Sequence, residues 1–595
     1  MSTVNEDLTE EKSEEKSDDK LKVVICWHMH QPEYRDLRKN EYQLPWTYLH
    51  VIKDYVDMVD HLENIPGARA VVNFTPTLLE QIEDYKEQIK DFLRHNTPLR
   101  DPLLASLTSE KLPSSPQFRL QLINDCLRAN RERLIDRFPA YQKLANMSQW
   151  FIDNPDTVFY LHEQYLFDML TWHHLAWIGE TVKRNDPRIK RLLYKESDYT
   201  LNDRYLLLEV IGDIHNNIID RYRRLAQTGQ IELSVTPYAH PIMPLMLDIN
   251  SAREAMPDVP LPEKTTYPGG KERVHWHIKQ GLDIFKNHFG FKPVGCWPSE
   301  GAVSDETLKI LAEYGFQWVA TGGSVLNNSL SRADMLDDVY NHVGVHRAYT
   351  IDAAAADTQD ASQTENSPIQ CFFRDDGLSD LIGFTYSKWH ADDAVGNLVE
   401  HLETIVNYRD DQRGRVVSII LDGENAWEHY PENGYYFLTA LYQRLAEHPD
   451  MELSTFADCV TSDVTPTKLP SLVAGSWVYG SFSTWIGDRA KNRGWDMLIQ
   501  AKECFDSVVA RRELDPGELA RAEQQLAVCE GSDWFWWFGD YNPADSVSSF
   551  ESLFRLNLSI LYQYLGVLPP SYLTQVFTQG SGSPAGGGTM RPGKE

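Results

Sequence analysis

Short apolar runs that stop abruptly at polar residues recur along this chain, and stretches of helical periodicity separate them. Lys22-Val-Val-Ile-Cys-Trp-His-Met-His30 is the first. Its unbroken apolar character marks a strand buried on both faces, and its polar end marks where the strand leaves the core. Leu44 to Leu62 then reads as a helix, Ala68 to Thr75 as a second strand, and Pro76 opens another helix. From about Tyr85 to Arg224 the strand signal disappears and a helical pattern rich in Leu, Arg, Phe and Trp takes over, which predicts a helical insertion at about 85–225. Ile231 to Thr236 restores the strand pattern. Val274 to His288 and Thr307 to Tyr314 read as helices, and Pro293 to Trp297 and Gln317 to Ala320 as strands. Asp380-Leu-Ile-Gly-Phe-Thr385 and Arg415 to Leu421 give two more strands. Strand–helix alternation of this kind predicts a barrel of parallel strands, with chemistry at their carboxyl ends. An open doubly wound sheet would produce a similar rhythm.

The pattern changes after about Thr465. Asp496 to Arg512, Pro516 to Cys529 and Ser549 to Leu565 read as helices, so residues 466–570 are expected to form a C-terminal helical domain beside a barrel domain at 21–465. Residues 1–20 are acidic and lack aromatics, and 578–595 are rich in Gly, Ser and Pro; both are expected to be disordered tails.

Composition narrows the function. The 595 residues carry a formal charge of -30, which argues against nucleic acid and against an anionic membrane surface, and fits a neutral substrate. Seven Cys are scattered without a CxxC pair, as in a reducing compartment, and no signal peptide or membrane span is evident. A cytoplasmic location is the default expectation.

Four strand ends carry unusual polar groups. His28 and His30 are two apart, so on a strand they share a face. They can ligate a metal, bind substrate hydroxyls or be satisfied core histidines. His240 follows the Ile231 strand within Pro237-Tyr-Ala-His-Pro241. Glu300 ends Cys296-Trp297-Pro298-Ser299-Glu300, before a helix that Ser304 can cap. Finally, an apolar strand runs straight into Asp422-Gly423-Glu424-Asn425-Ala426-Trp427. Ionised groups there must be paired or solvated. Two carboxylates facing each other amid Trp and Tyr suit glycoside cleavage, in which one acid protonates the leaving oxygen and the other attacks the anomeric carbon or activates water.

Together these motifs resemble glycoside hydrolase family 57, in its α-amylase and amylopullulanase-like branch. The resemblance rests on His30-Gln31-Pro32, on Gly229 to Glu232 running on to Tyr238, His240 and Pro241, and on Gly295 to Glu300. It also rests on Leu421 to Trp427, and on Gly475-Ser476-Trp477 with Phe482 to Gly487. It covers roughly residues 21–565. It implies an incomplete seven-stranded (β/α) barrel with a helical insertion and an α-helical domain closing the cleft. It implies retaining action on α-glucans with no metal or cofactor, Glu300 as nucleophile and Asp422 as acid/base. His28, His30, Gln31, His240 and Glu424 would then bind the sugar, with Trp297, Trp427, Trp477 and Trp485 as ring platforms. Glu424 also competes with Asp422 for the acid role. Three alternatives stand beside this reading: a 4-α-glucanotransferase using the same pair, a metal-dependent hydrolase built on His28, His30 and an acid, and a non-catalytic glucan-binding protein.

Overall fold

The computed structural model describes residues 20–336, 344–352, 368–407, 414–424, 426–462, 466–511 and 514–582. The acidic N-terminal tail before residue 20, the tail from 583 onward and Asn425 lie outside the described residues. Seven parallel strands close into a barrel: β1 Leu21–Met29, β2 Ala70–Phe74, β3 Ile231–Val235, β4 Gly295–Cys296, β5 Trp318–Gly322, β6 Gln370–Arg374 and β7 Val416–Asp422. The ring is shut where Ser418 of β7 pairs with Arg374 of β6. In β1 the run Val23 to Trp27 is wholly buried, as its continuous apolar sequence requires. Met451–Ser454 adds a parallel strand beside the lower half of β1.

One strand differs from expectation. Asp380 to Thr385 is not extended: Asp376–Asp380 is a helix, and Leu381–Thr385 continues it as a π turn. The carboxylate of Asp375 accepts from the Leu378 N–H and starts that helix. The sixth strand lies ten residues earlier, at Gln370-Cys-Phe-Phe-Arg374, all five residues buried. Short apolar runs carry no period that separates a strand from a buried helix, so Leu-Ile-Gly-Phe and Cys-Phe-Phe look alike in sequence.

Helix α1 (Pro76–His95) follows β2 and packs on α3 (Leu201–Gln227), which leads into β3. Between them lies the helical insertion, whose elements include α2 (Pro139–Asp153). Helix α4 (Gly270–Phe289) covers the β3–β4 side. The helix at Asp305–Glu313 is capped by Ser304, whose hydroxyl accepts from the Thr307 N–H.

Beyond the barrel, α5 (Arg489–Ala510), α6 (Pro516–Cys529), α7 (Ser532–Trp537) and α8 (Ala544–Tyr564) pack together. Residues 578–582, expected at the head of a disordered tail, are held instead. Thr578 is buried and accepts from Gly539 N–H, and the Ser581 and Gly582 N–H groups donate to the carbonyls of Asp540 and Asn542.

Candidate active site

Because all seven strands run the same way, their carboxyl ends share one mouth. There a cavity of about 590 Å³ is lined by His28, His30, Gln31, Glu300, Asp422 and Glu424 among others. The helical insertion contributes Arg128, Ala129 and Asn130 to one side, and the C-terminal helices contribute Trp536, Trp537 and Phe550 to the other.

Glu300 sits just past β4 with φ 57°, a left-handed backbone that L-residues adopt at a cost of roughly 1–3 kcal/mol. Ala239, His240 and Tyr479, in the neighbouring strand-end loops, share this conformation. Three contacts hold the strained Glu300 turn in place. The Trp477 N–H donates to the Glu300 carbonyl (3.1 Å), the Trp477 ring Nε1–H donates to its carboxylate (3.0 Å), and Val303 bridges Gly475. Gly322 lets the Trp477 loop come this close, since a Cβ there would stand 2.6 Å from the Trp477 Cα. Burial, and then the negative charge of Asp422, push the Glu300 carboxyl well above its usual range; the Trp477 and Ser532 hydrogen bonds oppose this by favouring the anion. Burial and Asp422 act in the same direction on Glu424, whose Oε1 accepts from the His30 N–H (3.3 Å) and the Gln31 amide (3.1 Å).

His28, His30 and His240 form a stack beside this pair. His28 Nδ1 meets Asn73 Oδ1 at 2.7 Å, and its Nε2 meets His240 Nε2 at 3.1 Å. Burial first, then His30, lowers the His28 pKa to about 3, so the ring is neutral. Asn73 Oδ1 can only accept, which puts the His28 proton on Nδ1. His240 then donates from Nε2, leaving its Nδ1 to accept from the Ser532 hydroxyl at 2.8 Å. His240 therefore lies one layer behind the cavity, 3.8 Å from Glu300.

These three rings are also the donor set that the metal-dependent alternative needs, and their nitrogens lie within 4.8 Å of one another. Ring orientation weighs against it. His30 and His240 stack 3.9 Å apart with planes 19° from parallel, so their in-plane lone pairs cannot converge on one ion. Both His30 nitrogens are already engaged, Nδ1 with Thr75 and Nε2 with Asp533.

The expected ring platforms divide. Trp477 lines the cavity. Trp297, Trp427 and Trp485 are no more than 1% exposed and present no face to it. Trp297 packs edge-on against Trp477, Trp427 packs against Trp27 and Tyr430, and Trp485 packs against Trp536. The open aromatic surface comes from residues outside the recognised motifs, such as Trp46, Trp177 and Trp537.

Two polar groups of the site were not legible. Asp533 and Ser532 come from α7, far along the chain, and reach His30 (2.6 Å) and His240. The Ser532 N–H donates to the His240 carbonyl, and Gly531 bridges Pro241, which ties α7 to the mouth. The available signal is an acid close to both Gly and Trp, in Gly531-Ser-Asp-Trp534, as Glu300 lies close to Trp297 and Gly301.

The sequence profile of Glycosyl hydrolase family 57 matches residues 24–473, which take in β1 from Val24 onward, the other six barrel strands, Glu300 and Asp422. The chain belongs to glycosyl hydrolase family 57. Solved family 57 structures share its fold. A branching enzyme from Thermococcus kodakaraensis matches at 14% identity over 91% of this chain and 90% of its own, with a TM-score of 0.51. A branching enzyme from Pyrococcus horikoshii matches at 15% identity over 93% and 96%, also at 0.51. An α-amylase from Thermotoga maritima matches at 13% identity over 92% and 93%, again at 0.51. At such identities the likeness to these solved structures shows the fold alone, and the chemistry must be argued from the site.

Proposed function

We propose that this family 57 enzyme cleaves α-glucans with retention, using Glu300 as nucleophile and Asp422 as acid/base. One observation carries the reading: the carboxylates that end β4 and β7 line one cavity, and the charge of one raises the pKa of the other. Two carboxylates placed in one cavity can divide the work, one member attacking as the anion and the other delivering the proton.

In the first step a Glu300 oxygen bonds to the anomeric carbon while the glycosidic oxygen departs with the proton of Asp422. Trp477 and Ser532 favour the anionic form of Glu300 that attack requires. In the second step Asp422 takes a proton from the incoming hydroxyl, which displaces Glu300 and restores the starting configuration. His28, His30 and Gln31 line the same cavity and can bind sugar hydroxyls. The acceptor is water in hydrolysis. A second sugar in its place would make the enzyme a 4-α-glucanotransferase, and the aromatic rings that line the cavity would give such an acceptor a surface.

The same reading assigns residues 21–465 to the catalytic domain and 466–570 to a helical domain that completes the cleft. It places the enzyme in the cytoplasm. All seven Cys are free, and among the described residues no helix is long and apolar enough to cross a membrane. Product mapping with maltoheptaose tests the reaction: shorter chains alone mean hydrolysis, and chains longer than the input mean transfer. A Glu300→Gln protein that retained full turnover would refute the scheme.

A further inference from the structure

Four of the twelve large apolar side chains that stand exposed among the described residues fall within one short stretch of the insertion. Met147 (51% exposed) and Trp150 (54%) lie on α2, and Phe159 (66%) and Tyr160 (85%) end the 3-10 turn Pro155–Tyr160 that follows it. Open aromatic surface of this kind normally marks a binding site.

Three observations say what it binds. First, the polar groups among these rings are largely uncharged: the side chains of Asn146, Gln149 and Asn154 are exposed. Flat apolar rings with amides between them match the apolar faces and hydroxyl edges of sugar units. Second, the charges near these rings are mixed, Lys143 and Arg131 beside Asp153 and Asp156, while the chain as a whole carries -30, which disfavours a second copy or a strongly anionic partner. Third, the surface is linked to the rim of the catalytic cleft. Asn130 lines the cavity, and the next residue, Arg131, bonds through its guanidinium to the Asn146 side chain. Asn146 and Trp150 are one helical turn apart on the same side of α2. Arg133 anchors this turn to the His429 carbonyl at the cleft (3.2 Å).

We infer that Met147, Trp150, Phe159 and Tyr160 form a second, non-catalytic surface that holds an α-glucan chain extending from the active-site cleft. The inference rests on the proposed action on α-glucans. It gives that action a polymer preference, because a chain held at two places gains effective concentration at the cleft.

The test uses the full chain carrying Trp150→Ala, Phe159→Ala and Tyr160→Ala together. Native electrophoresis through gels containing soluble starch reads binding, and the ratio of kcat/KM on soluble starch to that on maltotriose reads its consequence. The triple variant is expected to lose about tenfold in starch affinity, as expected for one or two lost ring contacts, with a matching fall in that ratio through KM. A Trp150→Phe protein, which keeps a ring, should recover most of the difference. Equal retardation of wild type and triple variant would overturn the inference, as would a wild-type dimer that the variant converts to monomer. Repeating the gel in a Glu300→Gln background separates the two ideas. Trp150-dependent retardation by a wild-type protein that neither cleaves nor transfers any α-glucan would leave the surface standing and remove the proposed function.

Discussion

Glu300 and Glu530 are both buried carboxylates, and the protein treats them in opposite ways. Glu530 follows α6 at the back of the mouth. Tyr267 and Arg273 donate to its Oε1 (2.5 and 2.9 Å), and Arg273 and His277 to its Oε2 (both 2.7 Å). Burial alone would raise its pKa, yet Arg273 and His277 bring it down to about 2. Glu300 receives hydrogen bonds from uncharged groups, and Asp422 adds a second negative charge nearby, so its pKa moves up. A buried acid clasped by cations is an anchor, fixed in one charge state. A buried acid facing another acid retains its capacity to exchange protons and attack carbon. The two lie only a few bonds apart through the fold, because Glu530 anchors the segment that carries Ser532 and Asp533 to the site.

The contrast can be broken at either end. The largest effect is expected from Glu300→Gln: kcat on soluble starch should fall by about 10⁴-fold or more, while the melting temperature at pH 8 does not drop, because the variant removes a poorly compensated buried charge. Asp422→Asn should cost about 10²–10⁴-fold in kcat. Much of that loss should disappear on an aryl glycoside whose leaving group needs no proton, as single-turnover kinetics would show. Glu530→Gln should act on stability instead. Leaving Arg273 buried without its partner costs about 3–5 kcal/mol, measurable by urea denaturation. Since the folded pKa of Glu530 lies below its unfolded value, its contribution is complete above pH 4.5 and is lost as pH falls toward about 2.

A third buried acid sharpens the comparison with a smaller effect. Glu232, on β3, accepts from the Trp318 ring N–H (2.6 Å) and the Ala457 N–H (2.9 Å), with no cation paired to it among the described residues, and burial raises its pKa to about 7. Its folded pKa exceeds its unfolded value, so stability is full below about 4.5 and declines as pH rises through about 7. Between pH 5 and 8 the decline should be on the order of 2 kcal/mol, and a Glu232→Gln protein should show a flatter urea midpoint across that window.

What the sequence shows and hides follows from the range of each signal. Strands buried on both faces are long apolar runs, so β1 and β7 are legible to within a residue or so. The sixth strand is too short to carry a period, and the helical turn after it has the same short apolar character. Asp422 announces itself as an acid ending an apolar run, and Glu300 as an acid three residues past a Trp at a strand end. Whether a Trp turns toward the cavity or into the core is decided by packing partners distant in sequence, which is why Trp477 and Trp297, each two residues after a Gly, occupy different places. Asp533 was hidden by distance: it meets His30 across 503 positions, from a region whose pattern speaks only of helices.

That distance has a consequence for the order of events during synthesis. The barrel strands are all in hand once the chain has passed Asp422, and chains generally fold from the amino end as they emerge. The histidine stack, however, is incomplete until Ser532 and Asp533 arrive, more than a hundred residues later. A nascent or truncated chain that lacks Ser532 and Asp533 would therefore carry the proposed nucleophile without the groups that set its surroundings, and the proposed activity would wait for that segment.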